Sequence, residues 1–309
     1  MGCLHEAVTA MERQEFFVPS ADGRHMLHCL RWVPAGEPRA VLQIVHGMAE
    51  HIVRYDEFGS FLASQGIEVV GHSLLGHGLT ANNPEELGWF GTPDGNFLLI
   101  EDIHQVREQS RIPGVPYFIL GHSMGSFLTR QYLCKRRPDL SGAIIMGTAD
   151  IPVPVLKMGQ TVCRIIAAFR GWHHRSALVS SFVTDGYKRK FGLSWLSGNE
   201  ESNRAYEADP RCGFRFTLNG FYSFFRGIDR ANGQESAGQL PKTYPLLFTA
   251  GAKDPVGSNG KGVKAVYRRY RHHGANASIR LYPGDRHEIL NELDRETVYA
   301  DIYNWINKE

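Results

Sequence analysis

Apolar positions in this chain alternate between a strand period and a helix period. Gln14 to Val18 and His25 to Val33 read as two extended segments around the turn Ala21-Asp22-Gly23, a hairpin pattern. Ala40 to Val45 is apolar except for Gln43, as strands buried on both faces are. Tyr55 to Gln65 then takes helical spacing, with Phe58, Phe61 and Leu62 on one face and Gly66 as the stop. The same alternation continues. Ile67 to Gly71 predicts a strand, Asn96 to Arg111 a helix closed by Pro113, and Tyr117 to Leu120 a strand. Ser126 to Arg137 predicts a helix ended by Pro138, and Ala143 to Met146 a strand. Tyr244 to Ala250 and Ser278 to Tyr282 predict strands around a helix over Gly262 to His273, with a closing helix over Val298 to Asn307. Such alternation means parallel strands joined by helices that cover both faces of one sheet, an α/β architecture.

One stretch departs from this rhythm. Ile151 to Leu240 has no clear strand and is rich in aromatics, among them Phe169, Trp172, Phe182, Trp195, Phe214, Phe216, Phe221, Phe224 and Phe225. It sits between two sheet strands, so it reads as a helical insertion capping the carboxyl ends of the strands. The expected organisation is a core over 1–150, a cap over 151–240 and the rest of the core over 241–309. Most of the cap aromatics are expected to form its own core.

Composition narrows the class. Apolar residues make up 42% and charged residues 21%, the balance of a soluble globular protein. The formal charge is only +2, so nothing in it points to nucleic acid. Lys135-Arg136-Arg137 and Arg268-Arg269-Tyr270-Arg271 read as solvated helix faces, with contact to anionic headgroups as the sharper alternative. The 5 cysteines are scattered, with no C-x-x-C spacing, which argues against a disulfide framework or a zinc site and for a reducing, cytoplasmic setting. No apolar run approaches the ~20 residues of a membrane span. Met1 to Phe17 lacks the apolar run of a secretory signal, and Glu6 stands where a myristoylation motif after Met1-Gly2-Cys3 wants Ser or Thr. At most, membrane contact is expected to be peripheral, through the cap.

The chemistry centres on Gly121-His122-Ser123-Met124-Gly125. Alone, G-x-S-x-G is a weak signal. Here it follows a buried strand and opens a helix, the setting of a nucleophile elbow. Small flanking residues suit a tight turn that pushes the Ser123 hydroxyl out while the helix N-terminus aims N–H groups at developing negative charge. A serine needs a base, and His287 follows the last strand by a short loop, ahead of the closing helix. The base needs an acid to hold its tautomer. Asp254, after the strand Tyr244 to Ala250, is the first candidate, and Asp150 the competitor. Asp285 is too near His287 in sequence to reach its ring easily. An oxyanion hole needs two N–H donors. Met124, after the nucleophile, and Met48, in the loop His46-Gly47-Met48, are the nominees, with His46 organising that loop.

Further motifs carry a resemblance. His46-Gly47-Met48-Ala49-Glu50-His51 with Arg54-Tyr55, Gly76-His77-Gly78, the elbow, Asp209-Pro210 with Cys212-Gly213-Phe214, and Tyr282 to Glu288 resemble monoacylglycerol lipases and bacterial lysophospholipases of the α/β-hydrolase superfamily. The likeness spans Phe16 to Trp305. It implies Ser123, Asp254 and His287 as a triad, Met48 and Met124 at the oxyanion hole, and an acyl chain under an apolar cap. Phe214, Phe216 and Phe221 are expected to bind that chain. Neither cofactor nor metal is implied. One departure is Ser73, where the family usually has aspartate; a looser loop beside the elbow or altered activity is expected from it.

The reading is therefore a serine hydrolase of monoacyl lipid esters, lysophospholipid or monoglyceride. The rivals are a short-chain carboxylesterase, an aminopeptidase that would need an acidic pocket such as Glu200, Glu201 and Glu207 could supply, and a binding protein that kept the fold and lost turnover.

Overall fold

The structure is a computed structural model and describes residues 11–309. The Met1-Gly2-Cys3 motif and Glu6 lie outside the described residues. The first half of the core comprises β1 (Glu12–Pro19), β2 (Met26–Val33), β3 (Ala40–Val45), α1 (Asp56–Ser64), β4 (Ile67–His72), α2 (Asn96–Ser110), β5 (Tyr117–His122), α3 (Met124–Arg136) and β6 (Gly142–Met146). Five helices follow: α4 (Val153–Arg170), α5 (Ala177–Val183), α6 (Asp185–Phe191), α7 (Glu200–Ala208) and α8 (Leu218–Ser236). The chain then re-enters the sheet through β7 (Leu246–Gly251), α9 (Lys261–His272), β8 (Ala277–Tyr282) and α10 (Arg295–Lys308).

The strands form one sheet in the order β1-β2-β4-β3-β5-β6-β7-β8. From β4 to β8 neighbours are parallel, while the hairpin β1-β2 and the β2-β4 pair are antiparallel. Central strands β3, β4, β5, β6 and β7 are buried along their whole length, as their unbroken apolar runs require. Trp32, Phe58, Phe118 and Tyr299 fill one side of the sheet. Phe90, Tyr132, Phe248 and Tyr270 fill the other.

Two boundaries differ from the local pattern, and both bear on the site. β5 runs on to His122 because it pairs with β3 through Gly121 and with β6 through His122. α3 begins at Met124, leaving Ser123 alone between strand and helix. The inserted helices are joined to the core by charge as well as packing. Arg130 of α3 is fully buried and forks to Glu235 of α8, Nε and Nη2 each 2.7 Å from a carboxylate oxygen. No helix among the described residues is long and apolar enough to cross a membrane.

Candidate active site

Parallel strands deliver their following loops to one edge of the sheet, and the chemistry-bearing residues follow β3, β5, β7 and β8 there. Ser123 adopts φ +52°, a left-handed conformation that strains a residue with a Cβ. Two glycines let the turn exist. A Cβ on Gly121 would lie 2.3 Å from Thr129 Oγ1 and 2.4 Å from Gly125 O. One on Gly125 would lie 2.0 Å from Val45 O and 2.5 Å from His46 O. The Ser123 N–H donates to Met146 O at 3.0 Å and its carbonyl accepts from Ser126 Oγ at 2.6 Å, so the elbow is held on both sides.

Ser123 Oγ lies 2.7 Å from His287 Nε2, and His287 Nδ1 lies 3.0 Å from Asp254 Oδ2. Asp254 is fully buried and its other oxygen accepts the Val256 N–H at 2.8 Å. Pairing of β7 with β8 brings the two loops together. Lys253 N donates to Asp285 O at 2.9 Å, and a Cβ on Gly251 would meet Arg286 O at 2.1 Å. The competitor Asp150 is turned to Arg269 instead. Asp285 faces other carboxylates; burial, Asp294 and Glu292 push its pKa up to about 7. A serine oxygen on an imidazole whose far nitrogen meets a buried carboxylate is the arrangement that activates a hydroxyl nucleophile.

Met124 opens α3, so its N–H has no partner one turn back in the helix. Met48 and Met124 both line the cleft with Ser123. The Met48 loop is built by residues that the sequence shows only as motif letters. His46 donates or accepts at both ring nitrogens, Nδ1 to Gly47 O at 2.8 Å and Nε2 from Leu74 N at 2.9 Å. Burial holds its pKa at about 4, so it is neutral and organises the loop. Ala49 takes φ +52°, and its carbonyl accepts from Gly213 N at 2.9 Å and Tyr206 Oη at 3.2 Å, both in the inserted segment.

Glu50 is the hub beneath. It accepts from Gly47 N at 2.5 Å, Arg54 Nη1 at 2.7 Å, Tyr55 Oη at 3.0 Å and His122 Nδ1 at 3.2 Å. Arg54 also forks to Glu288, the residue after His287, at 2.8 and 2.7 Å. Burial disfavours charge on Glu50, but the bond to His122 and the Arg54 charge hold its pKa well below the usual carboxylate range. Burial also opposes charge on His122, yet the Glu50 bond and charge raise its pKa above the ordinary 6.5. This ionic network ties the loops of β3, β5 and β8 into one support. Sequence reasoning missed it, because Arg54 and Glu288 are 234 positions apart; only their presence in the quoted motifs could have flagged them.

Ser73 is fully buried, and its Oγ has no partner among the described residues. Its backbone is nevertheless held, N–H to His28 O at 2.8 Å and carbonyl from Thr80 Oγ1 at 2.6 Å. His51, Asp209 and Cys212 could offer ligand atoms within 4.8 Å of one another. The Arg211 guanidinium donates twice and its backbone N–H once to Asp209, and burial pushes the Cys212 thiol up to about 12, so these groups read as a tether between His51 and the inserted segment.

The cleft at Ser123 measures about 380 Å³ and is lined by Met48, Met124, Phe127, Phe214, Phe224 and Phe225, together with His287 and Trp195. Of the three phenylalanines expected to bind an acyl chain, Phe214 lines this cleft. Phe216 and Phe221 do not. Each is 1% exposed, and Phe216 packs on His77, Phe90 and Phe214 without lining the cleft. Helix α8 turns Phe224 and Phe225 toward the cleft in place of Phe221.

Residues 36–294 match a family model described as serine aminopeptidase, S33. A monoglyceride lipase homolog of Monkeypox virus is 27% identical over 288 residues, 91% of this chain and 94% of that protein. The monoglyceride lipase of Mus musculus is 25% identical over 297 residues, 93% of this chain and 88% of its own. Among solved structures, a highly thermostable carboxyl esterase from Bacillus coagulans, in complex with glycerol, aligns with a TM-score of 0.86 at 29% identity, covering 96% of this chain and 99% of that one. With its eight-stranded sheet, its elbow and this match, the chain belongs to the serine aminopeptidase S33 family of α/β hydrolases.

Proposed function

We propose that the chain is a serine hydrolase that cleaves carboxylic esters of monoacyl lipids through an acyl-enzyme. The observation that carries this is the Ser123–His287–Asp254 chain of hydrogen bonds, 2.7 and 3.0 Å, opening into an apolar cleft. Ser123 Oγ attacks the ester carbonyl as His287 Nε2 takes its proton. Asp254 holds the imidazole tautomer and stabilises the imidazolium. The N–H groups of Met48 and Met124 receive the charge on the carbonyl oxygen. His287 then protonates the leaving alcohol, and water releases the fatty acid by the same steps.

Several features favour a lipid ester over an N-terminal peptide. Glu200, Glu201 and Glu207 lie exposed on α7 outside the cleft, Glu207 with Lys188 and Glu200 with Arg204. The carboxylates that do line the cleft are each engaged by arginine, Glu50 and Glu288 by Arg54, Asp150 by Arg269 and Asp185 by Arg215. No free acidic group is left among them for a substrate amine. The Monkeypox virus and Mus musculus relatives bear the names monoglyceride lipase homolog and monoglyceride lipase.

Residues 151–240 act in this reading as the cap. Val155, Met158, Ile165 and Phe169 are exposed on α4 and Phe182 on α5, and Val155 and Phe182 also line the cleft. Such an apolar rim supports transient contact with a lipid surface from which the substrate enters. The described cysteines are all free thiols, which supports a reducing, cytoplasmic location.

A fluorophosphonate probe and a chain-length series of p-nitrophenyl esters, set against monoolein, test this reading. Ser123 is expected to label, Ser123→Ala to abolish turnover, and long-chain monoacyl esters to be preferred. Unaltered hydrolysis by Ser123→Ala would overturn the mechanism, and a preference for acetate would overturn the lipid assignment.

A further inference from the structure

A second groove, about 660 Å³, runs beside the cleft. Phe182, Val183, Tyr187 and Trp195 line both, so they form a shared wall. Three cations line the groove, Lys190, Lys253 and Arg286, and no carboxylate does. Lysine ion pairs are made by Lys135, Lys157 and Lys188; among the described residues Lys190 and Lys253 make none. The Arg286 guanidinium donates only to neutral backbone carbonyls, Ser194 O at 2.6 Å and Ser197 O at 3.3 Å. It is thus a positioned cation without a counter-charge. Against a net charge of only +2, three unpaired cations in one groove are a local excess.

The triad gives this groove a direction. His287 must protonate the leaving alcohol, so that alcohol lies beside His287. The Trp195 ring centroid is 5.4 Å from that of His287, and Trp195 is the wall shared with the cationic groove. Met124, Phe127, Phe224 and Phe225 offer the apolar surface for the acyl chain. Segment and base loop are also stitched together, since Glu288 N donates to Leu196 O at 2.7 Å. Arg286 and Trp195 therefore keep fixed places relative to His287.

We infer that this groove is a headgroup subsite for phosphate, so that the substrate is a monoacyl phospholipid with an anionic headgroup. This deepens the ester-hydrolase reading and rests on it. Lys190, Lys253 and Arg286 engage the phosphate oxygens, Tyr187 and Trp195 flank the glyceryl carbons, and the acyl chain lies along Phe127 and Phe224. The reaction is plain hydrolysis. The ester C–O bond breaks, the leaving alkoxide takes the proton from His287, and water supplies the second oxygen of the fatty acid.

The test compares wild type with Lys190→Glu/Lys253→Glu on oleoyl lysophosphatidylglycerol and on monoolein. Each lipid is dilute in uncharged detergent micelles, and p-nitrophenyl butyrate is run alongside. The ratio of kcat/KM for the phospholipid over monoolein is expected to fall about tenfold or more in the variant, mainly through KM. Lys190→Gln/Lys253→Gln is expected to give a smaller fall in the same direction, and serves if charge reversal lowers the melting temperature. A ratio that moves less than about twofold in both variants overturns the subsite. So does an equal loss on monoolein once the micelles carry dioleoylphosphatidylglycerol, because the lysines then read an anionic surface. A wild type that cleaves p-nitrophenyl butyrate but not the phospholipid overturns the subsite and leaves the ester-hydrolase reading standing. Failure of Ser123 to take fluorophosphonate, with no ester cleaved, is instead the failure of that reading.

Discussion

Arg54→Met removes the guanidinium that bridges two buried carboxylates beneath the site. The side chains of Arg54, Glu50 and Glu288 are 12%, 4% and 5% exposed, so solvent cannot replace the lost charge. Removing one partner of a buried ionic group costs about 3–5 kcal/mol, because the remaining charges stay desolvated and unpaired. An unfolding entropy of about 2.1 cal/mol/K per residue, over 309 residues, is about 0.65 kcal/mol/K. A loss of about 4 kcal/mol then lowers Tm by about 6 °C. The pH dependence has a sign. The His122 bond and the Arg54 charge hold the pKa of Glu50 below the ordinary 4.5, and Arg54 does so for Glu288. Their contribution is present above that value and is lost as pH falls through the depressed pKa values. In the variant, burial lifts both pKa values, so the gap to wild type is widest near neutrality and narrows on acidification. Calorimetric Tm from pH 4 to 8 measures it. Adding Glu50→Gln and Glu288→Gln to Arg54→Met is expected to recover most of the loss, since no unpaired charge then remains. A gap under about 2 °C at pH 7, or one that does not depend on pH, refutes the reasoning.

Other outcomes follow from single contacts. Gly125→Ala drives a Cβ into the backbone of β3 and is expected to cost at least about 3 kcal/mol, whereas Gly233→Ala, in open space on α8, is expected to stabilise by up to about 1 kcal/mol; urea unfolding separates them. Asp254→Asn is expected to drop kcat by about 10⁴-fold with the fold retained, while Asp150→Asn keeps kcat within about threefold, as steady-state kinetics on p-nitrophenyl butyrate will show. Phe216→Ala is expected to cost about 3–5 kcal/mol without changing acyl-chain preference, and Phe224→Ala to shift that preference; a chain-length series on both variants checks this.

Much of the fold was legible because strand and helix signatures are local. The run Ala40 to Val45 became β3 with those bounds, and Tyr117 to His122 needed only two more residues, supplied by pairing on both sides. Candidate chemistry was legible for a related reason. Ser123, Asp254 and His287 each follow a strand closely, and parallel strands send such loops to one edge. Phe216 and Phe221 were misplaced because aromatic content marks a segment as buried without saying which face meets the cleft. The support around Glu50 escaped notice because its members carry no shared spacing.

The sequence by itself determined the order of elements, the strained serine turn and the residue types available to it. Those depend on period, glycine placement and neighbours a few positions away. Tertiary structure alone decided which groups meet. Sheet order set the Asp254 and His287 loops side by side and left Asp150 to Arg269. Packing of the inserted helices turned Phe224 inward and gathered Lys190, Lys253 and Arg286 around one groove. Hydrogen bonds and charges act over a few ångströms of space, and distance in space is a property of the packed fold rather than of position along the chain.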